Sequence, residues 1–361
     1  MDRMKKVASV VGARPQFVKA AVVSRALRPL AKEVLVHTGQ HYDYGMSDVF
    51  FEEMGIPEPD YNLGVGSGSH GRQTGLMLER IEETLEREKP DFVLIYGDTN
   101  STLAGALAAA KMHIPVGHVE AGLRSFDGRM PEEVNRVLAD DLSSLLLCPT
   151  KTAVENLARE GITGGVELVG DVMYDAALHY LERARAASDV LERLRLAPGE
   201  YFLATVHRAG NTDDPKRLRS IVEALAAARL PVVFPAHPRT KAALAACGLQ
   251  WAIDGRGSLR TVDPVGYFDM LVLEASAKKI LTDSGGVQKE AYFFGVPCVT
   301  LRAQTEWVET LEGGWNLLVD VDGEAIAQAL ALPRPTAERG EHFGDGTAGE
   351  RAARLIAAWE A

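Results

Sequence analysis

The sequence predicts an α/β protein built from two doubly wound parallel sheets, and three observations carry that prediction. Short apolar runs of strand length alternate with longer stretches whose apolar positions recur at helical spacing. This βαβ alternation breaks at Pro198-Gly199-Glu200 and then starts again, so the 361 residues fall into two halves that divide near residue 170. The polar residues that stand out (Arg14, Asp98, Glu120, His207, His237 and Ser284) each sit at the carboxyl end of an expected strand. Ligands of such sheets bind there, and the shared address predicts one cleft between two facing domains.

The elements follow in order. Lys6–Val11 reads as a strand, Gly12-Ala13-Arg14-Pro15 as its turn, and about Gln16 to Leu30 as a helix. Val34–Thr38 is a second strand, with Gly39-Gln40-His41 after it. Tyr42–Met54 is expected to be helical. Pro57–Gly71, rich in Gly, Pro and Ser, is expected to be a loop. Arg72–Lys89 carries Leu76, Ile81 and Leu85 at helical spacing. Asp91–Tyr96 is a buried strand ending in Gly97-Asp98-Thr99-Asn100, and the Ala/Leu-rich Ser101–Lys111 is a buried helix. An apolar segment ending Ile114-Pro115-Val116 places Glu120 at the next strand end. Met130-Pro131-Glu132-Glu133 has the form of a helix start, with proline at the first helical position and acids in the first turn. Ser143–Cys148 and Val166–Val169 read as strands around a helix at Thr152–Arg159, and a helical segment runs on to about Leu196.

In the second half, Tyr201–Val206 ends in His207-Arg208, and Leu218–Ala228 is a helix. Val232–Pro235 ends in His237-Pro238-Arg239. Lys279–Thr282 ends in Asp283-Ser284-Gly285-Gly286, with a helix from Val287, and Pro297–Leu301 ends in Arg302. A last helix covers about Gly349 to Trp359.

Composition narrows the function classes. Hydrophobic residues at 46% and charged residues at 25% are ordinary for a soluble globular protein. A net charge of −11 argues against a general nucleic-acid or anionic-membrane surface, while leaving room for a local phosphate pocket. No run approaches transmembrane length, and the basic N-terminus has too short an apolar run for a signal peptide, so a cytoplasmic location is expected. Three cysteines without a CxxC pair suggest neither a disulfide framework nor a zinc site. Cys148 and Cys298 lie in apolar runs, where cysteine is a small buried hydrophobe.

Two stretches concentrate chemistry. Gly117 to Arg136 holds Glu120, Glu132, Glu133, Arg124, Arg129 and Arg136. Arg136 follows Glu132 by one helical turn, on the same face. A strand-end carboxylate and a helix-start carboxylate beside an arginine suit one polar substrate; equally, the two acids suit the helix dipole. Asp98 reads either as a partner of Glu120 or as a helix N-cap. The second stretch, Asp283 to Glu290, puts Ser284, Gly285 and Gly286 at a helix N-terminus, which suits a phosphate, with Glu290 one to two turns on for a ribose diol. It lacks the spacing of a dinucleotide fingerprint or a P-loop. Arg14 and Lys19 place two cations at the first strand-to-helix turn, opposite a diphosphate or simply solvated and paired. His207 and His237 occupy equivalent points of successive strands without metal-site spacing.

GARPQFVKA, TGQH, GDTNSTLAG, GHVEAGLRS, PEEVNR, TVHR, HPR, LTDSGGVQKEA, TEWVE and GDG, in this order from about Lys6 to Ile356, resemble the non-hydrolysing UDP-N-acetylglucosamine 2-epimerases. The resemblance implies a GT-B-like fold, with Rossmann-like domains at 1–169 and 170–348 and a C-terminal helix returning to the first. It implies a homodimer that uses neither nicotinamide nor an obligatory metal. The implied reaction inverts C2 of a UDP-linked 2-acetamido sugar by expelling UDP through a 2-acetamidoglycal. Asp98, Glu120 and Glu132 are then the acid/base candidates. Arg14, Lys19, Arg136 and His207 are the charge-stabilising candidates, Ser284 to Gly286 hold phosphate, and Glu290 holds the ribose. Gln40, Arg72, Gln73 and His237 match a second UDP-sugar site known in bacterial members, whereas Asp43 and Ala209 do not match it. Thr305-Glu306-Trp307-Val308-Glu309 departs from the TERPE form common in the family, and His207-Arg208-Ala209-Gly210-Asn211 from HRREN. Arg302 is a candidate to offset the arginine missing at 307. The GARPQF and TEWVE forms resemble a branch that includes epimerases of UDP-2,3-diacetamido-2,3-dideoxy-glucuronate. The rival readings are a GT-B glycosyltransferase, a hydrolysing epimerase and a UDP-sugar-binding protein.

Overall fold

A computed structural model describes residues 4–40, 55 and 58–360. The chain forms two compact units, Met1–His179 with Glu341–Ala361, and Tyr180–Gly340.

The first unit runs β1 (Lys6–Val11), α1 (Arg14–Leu27), β2 (Lys32–His37), β3 (Tyr61–Asn62), α2 (His70–Glu88), β4 (Phe92–Tyr96), α3 (Asn100–Lys111), β5 (Val116–Val119), α4 (Pro131–Leu142), β6 (Leu145–Cys148), α5 (Lys151–Arg159), β7 (Val166–Leu168) and the first half of α6 (Val172–Ala187), whose second half begins the second unit. Among the described residues its strands form one parallel sheet in the order β3-β2-β1-β4-β5-β6-β7. β4 is buried at all five positions, as expected of a strand covered on both faces. α2 buries Gln73, Met77, Ile81, Thr84 and Leu85, one stripe at helical spacing. Its apolar members join Val10 and Ile95 in the core of this unit.

The second unit holds α7 (Val190–Arg193), β8 (Phe202–Thr205), α8 (Ala209–Thr212), α9 (Pro215–Ala226), β9 (Val232–Pro235), α10 (Pro238–Ala246), α11 (Gln250–Ile253), β10 (Leu259–Val262), α12 (Tyr267–Ser276), β11 (Lys279–Thr282), α13 (Gly285–Phe294), β12 (Cys298–Thr300), β13 (Asn316–Leu318) and α14 (Gly323–Ala331). Its sheet order, β10-β9-β8-β11-β12-β13, is 3-2-1-4-5-6 in local numbering, as in the first unit. A separate core forms around Phe202, Leu218, Ile221, Phe234 and Leu281.

α15 (Ala348–Ala358) belongs to the first unit and packs on α1. Asp175 accepts the Gly349 N–H at 2.8 Å, and Lys5 Nζ caps the far end through the carbonyls of Ile356 and Trp359.

Several expectations change. The expected helix 42–54 lies outside the described residues. The expected loop 57–71 contributes β3, and α6 stops at Ala187 instead of running on toward Leu196. The Ser188 hydroxyl is drawn to Asp269 at 2.5 Å and also accepts the Val190 N–H at 3.2 Å, so the chain turns there and restarts as α7. β10 and β13 are short and only partly buried, which is why no apolar run marks them. No helix among the described residues is long and apolar enough to cross a membrane.

In both sheets the topological switch lies between the local first and fourth strands. The carboxyl ends of β1, β4 and β5 carry Arg14, Asp98 and Glu120; those of β8 and β11 carry His207 and Ser284.

Candidate active site

In the first unit the site starts at the turn after β1. Gln16, read from sequence only as the start of a helix, is its brace. Its Oε1 accepts the N–H groups of Gly12 and Ala13 at 2.8 and 3.0 Å, and its Nε2 donates to Tyr96 O and Thr102 Oγ1 at 2.8 and 3.0 Å. The turns after β1 and β4 are thereby locked together. Arg14 is half-buried at the head of α1. Lys19 is not a solvated surface cation. It is 4% exposed and forms an ion pair with Glu120, itself 7% exposed. Glu120 has φ +71, an unusual backbone for a residue with a side chain, and such strain gathers at functional sites. Gly97, at φ +60, makes room for the pair: a Cβ there would lie 3.0 Å from Lys19 Nζ and 3.4 Å from Glu120 Oε1.

Asp98 follows. The cap of α3 is Thr99, whose hydroxyl accepts the Thr102 N–H, so the Asp98 carboxylate is not needed there. It pairs instead with Arg136. Burial raises its pKa above the ordinary value; Arg136 and Lys19 pull it back, while Glu120 and Glu132 push it further up. Arg136 also reaches Glu133 at 3.1 Å, not the Glu132 one turn before it. Glu133 is the structural acid of the pair, accepting the Ser125 N–H and hydroxyl at 2.9 Å and the Phe126 N–H at 3.0 Å. Glu132 stays half-buried at the start of α4, close enough to act on Asp98. Asn135, between the two, donates to Asp98 O at 3.0 Å and to Asn100 Oδ1 at 3.2 Å.

Of the second-site candidates, Gln73 is buried, donating to Gly66 O at 2.7 Å and accepting from Asn100 at 2.8 Å. Gln40 accepts from Ser101 Oγ at 2.8 Å, and Arg72 is exposed. His237 serves as the N-cap of α10, its Nδ1 accepting the Arg239 N–H at 3.2 Å.

In the second unit the organising residue is Asp283, which sequence reasoning did not single out. It is fully buried, and its carboxylate accepts the N–H groups of His207 and Arg208 at 3.1 and 3.0 Å and the Asn211 amide at 3.1 Å. The His207 ring, 51% exposed, keeps Nδ1 at 3.4 Å from the same carboxylate. The ring is thus open to a ligand and oriented from behind. Ser284 caps α13 through the Val287 N–H, and Gly285 and Gly286 form the first turn. A Cβ at Gly285 would lie 2.4 Å from Glu306 Oε1, so a side chain there would have to displace the Glu306 carboxylate. Glu290 is buried in the second turn. Arg302 pairs with Glu306 at 2.9 Å, Arg208 lies 3.6 Å from Glu306, and Lys289 Nζ sits 3.8 Å from the centre of the Trp307 ring. Arg302 therefore stands beside the departing TEWVE segment, with Trp307 stacked under a cation.

Against known proteins, a family model described as UDP-N-acetylglucosamine 2-epimerase matches residues 25–357. A Methanococcus maripaludis protein named UDP-N-acetylglucosamine 2-epimerase homolog is 51% identical over 353 residues, 97% of this chain and 99% of that protein. The UDP-2,3-diacetamido-2,3-dideoxy-D-glucuronate 2-epimerase of Pseudomonas aeruginosa is 48% identical over 362 residues, 98% of this chain and 99% of that protein. Among solved structures, the Methanocaldococcus jannaschii UDP-GlcNAc 2-epimerase in complex with UDP-GlcNAc and UDP matches with a TM-score of 0.92 at 44% identity, over 97% of this chain and 99% of that one. The two Rossmann-like sheets are those of the GT-B-like fold.

Proposed function

The chain belongs to the UDP-N-acetylglucosamine 2-epimerase family, and from that premise we propose that it interconverts UDP-N-acetylglucosamine and UDP-N-acetylmannosamine. The observation that carries this reading is two ion pairs at adjacent strand ends of the first unit, the buried Lys19–Glu120 and the partly exposed Arg136–Asp98.

The C2 proton of such a sugar has no neighbouring carbonyl to stabilise a carbanion. Elimination avoids that species: the C2–H and C1–O bonds break, a C1=C2 bond forms, the proton passes to an enzyme base, and UDP departs with the C1–O electrons. The 2-acetamidoglucal then takes UDP back at C1 and a proton at C2 on the opposite face. Two acid/base groups and a cationic grip on UDP are required. Glu120 and Glu132 are assigned to proton transfer, together with Asp98, whose pKa burial raises above the ordinary carboxylate value. Arg14, Lys19, Arg136 and His207 offset the charge developing on the leaving diphosphate. Ser284, Gly285 and Gly286 take phosphate oxygens at a helix N-terminus, and Glu290 takes the ribose hydroxyls. We read the enzyme as a cytoplasmic homodimer; light scattering of the purified chain tests the dimer.

The same epimerisation on UDP-2,3-diacetamido-2,3-dideoxy-glucuronate is the second reading. Trp307 in the departing segment favours it, as does the 48% identity to the P. aeruginosa enzyme.

Proton NMR in D2O decides. Deuterium entering C2 of UDP-N-acetylglucosamine, with a manno-configured product, supports the first reading. Exchange of the uronate alone selects the second. UDP binding with exchange of neither overturns both.

A further inference from the structure

His118 lies on β5, two residues before Glu120, and is fully buried. Its Nδ1 is 2.7 Å from Asp140 Oδ1 and its Nε2 is 2.7 Å from the Gly97 carbonyl oxygen. The far end of this bridge is fixed. Asp140 also accepts from Arg124 Nη1 at 2.7 Å and from the Gly122 N–H at 3.1 Å. Arg124 in turn grips Glu160 with a two-pronged contact at 2.7 and 2.6 Å. A continuous strut thus runs from α5 through Arg124, Asp140 and the His118 ring to one main-chain carbonyl.

That carbonyl belongs to the glycine whose φ of +60 makes room for the Lys19–Glu120 pair, and the next residue is Asp98. We infer that His118 is a positioning residue for the epimerisation: by holding the Gly97 carbonyl it sets the turn that carries Asp98 and underlies Lys19–Glu120, while touching neither pair itself. This inference rests on the proposed reaction. A misplacement of about 1 Å at reacting groups costs on the order of 100-fold in rate.

The two ring contacts are separable by substitution. His118→Asn retains a donor near the Nδ1 position, toward Asp140, and loses the one to Gly97. His118→Gln retains a donor near Nε2, toward Gly97. Steady-state kinetics and C2 deuterium exchange are measured on both, with circular dichroism and thermal unfolding to establish folding. Wild-type exchange comes first, and its absence removes the proposed reaction itself. Given wild-type exchange, kcat of His118→Asn is expected to fall about 100-fold with KM within about threefold, and His118→Gln to recover to within about tenfold of wild type. Equal kcat in both variants, or losses that track only the folded fraction, overturns the positioning role. Gly97→Ala tests the same turn without touching the ring. It too is expected to lose kcat with KM retained, and full kcat in that variant overturns the proposal even where the histidine variants do not fold.

Discussion

Asp98 carries a cost at neutral pH that follows from its place. Its native pKa lies above the unfolded value because burial outweighs the attraction of Arg136 and Lys19. The native state therefore holds this proton more tightly than the unfolded chain does. Stability falls as pH rises from the unfolded pKa through the native one, and the deficit persists above it. Asp98→Asn removes the titration. The variant is expected to lose most epimerase activity while melting no lower than wild type at pH 7.5. The difference should shrink as pH falls toward 4, and thermal unfolding across pH 4 to 8 measures it. A lower melting temperature at every pH would contradict the account. Glu120→Gln is expected to lose most activity while staying folded, with kcat and circular dichroism as the checks. The cysteines behave oppositely to a reactive site: burial pushes the thiols of Cys148 and Cys298 up to about 12. In native protein, iodoacetamide at pH 8 should spare both and modify only the partly exposed Cys247, with modification of all three after unfolding.

Among the elements, α2 was legible because its buried positions repeat with the helical period, and α3 because its run of small residues has no polar face. Ile81 lies at the centre of the α2 stripe and is fully buried. Ile81→Ala should cost about 2–5 kcal/mol by urea unfolding, with the larger loss if the void does not collapse. The roles of Gln16 and Asp283 were not legible. Both satisfy main-chain groups far away in sequence: Gln16 reaches Tyr96, and Asp283 holds the turn after β8. Local spacing carries no trace of such contacts. The division of labour between Glu132 and Glu133 was hidden for another reason. Adjacent residues on a helix point about 100° apart, and which one turns toward Ser125 depends on the preceding loop. His237 shows the reverse case, a strand-end histidine that caps a helix.

For the whole molecule, the restart of the strand–helix pattern was enough to predict two sheets, and both share the local order 3-2-1-4-5-6, with β7 added in the first. Because each unit has its own core, substitutions in the two units should add in their effects on stability. Ligand binding should stabilise by mass action. At 100 times its Kd, UDP is expected to add about 2.7 kcal/mol to the resistance of wild type to unfolding, and Glu290→Ala should lose most of that increment at the same UDP concentration. Differential scanning calorimetry with and without UDP measures both.

The return of α15 to the first unit also sets a timetable. Glu341–Ala361 leaves the ribosome only after all of Tyr180–Gly340. At about 5–20 residues per second, the nascent first sheet waits roughly 8–30 s with the α15-facing side of α1 uncovered. The unit encoded second can close on its own core first, and the unit encoded first is sealed last.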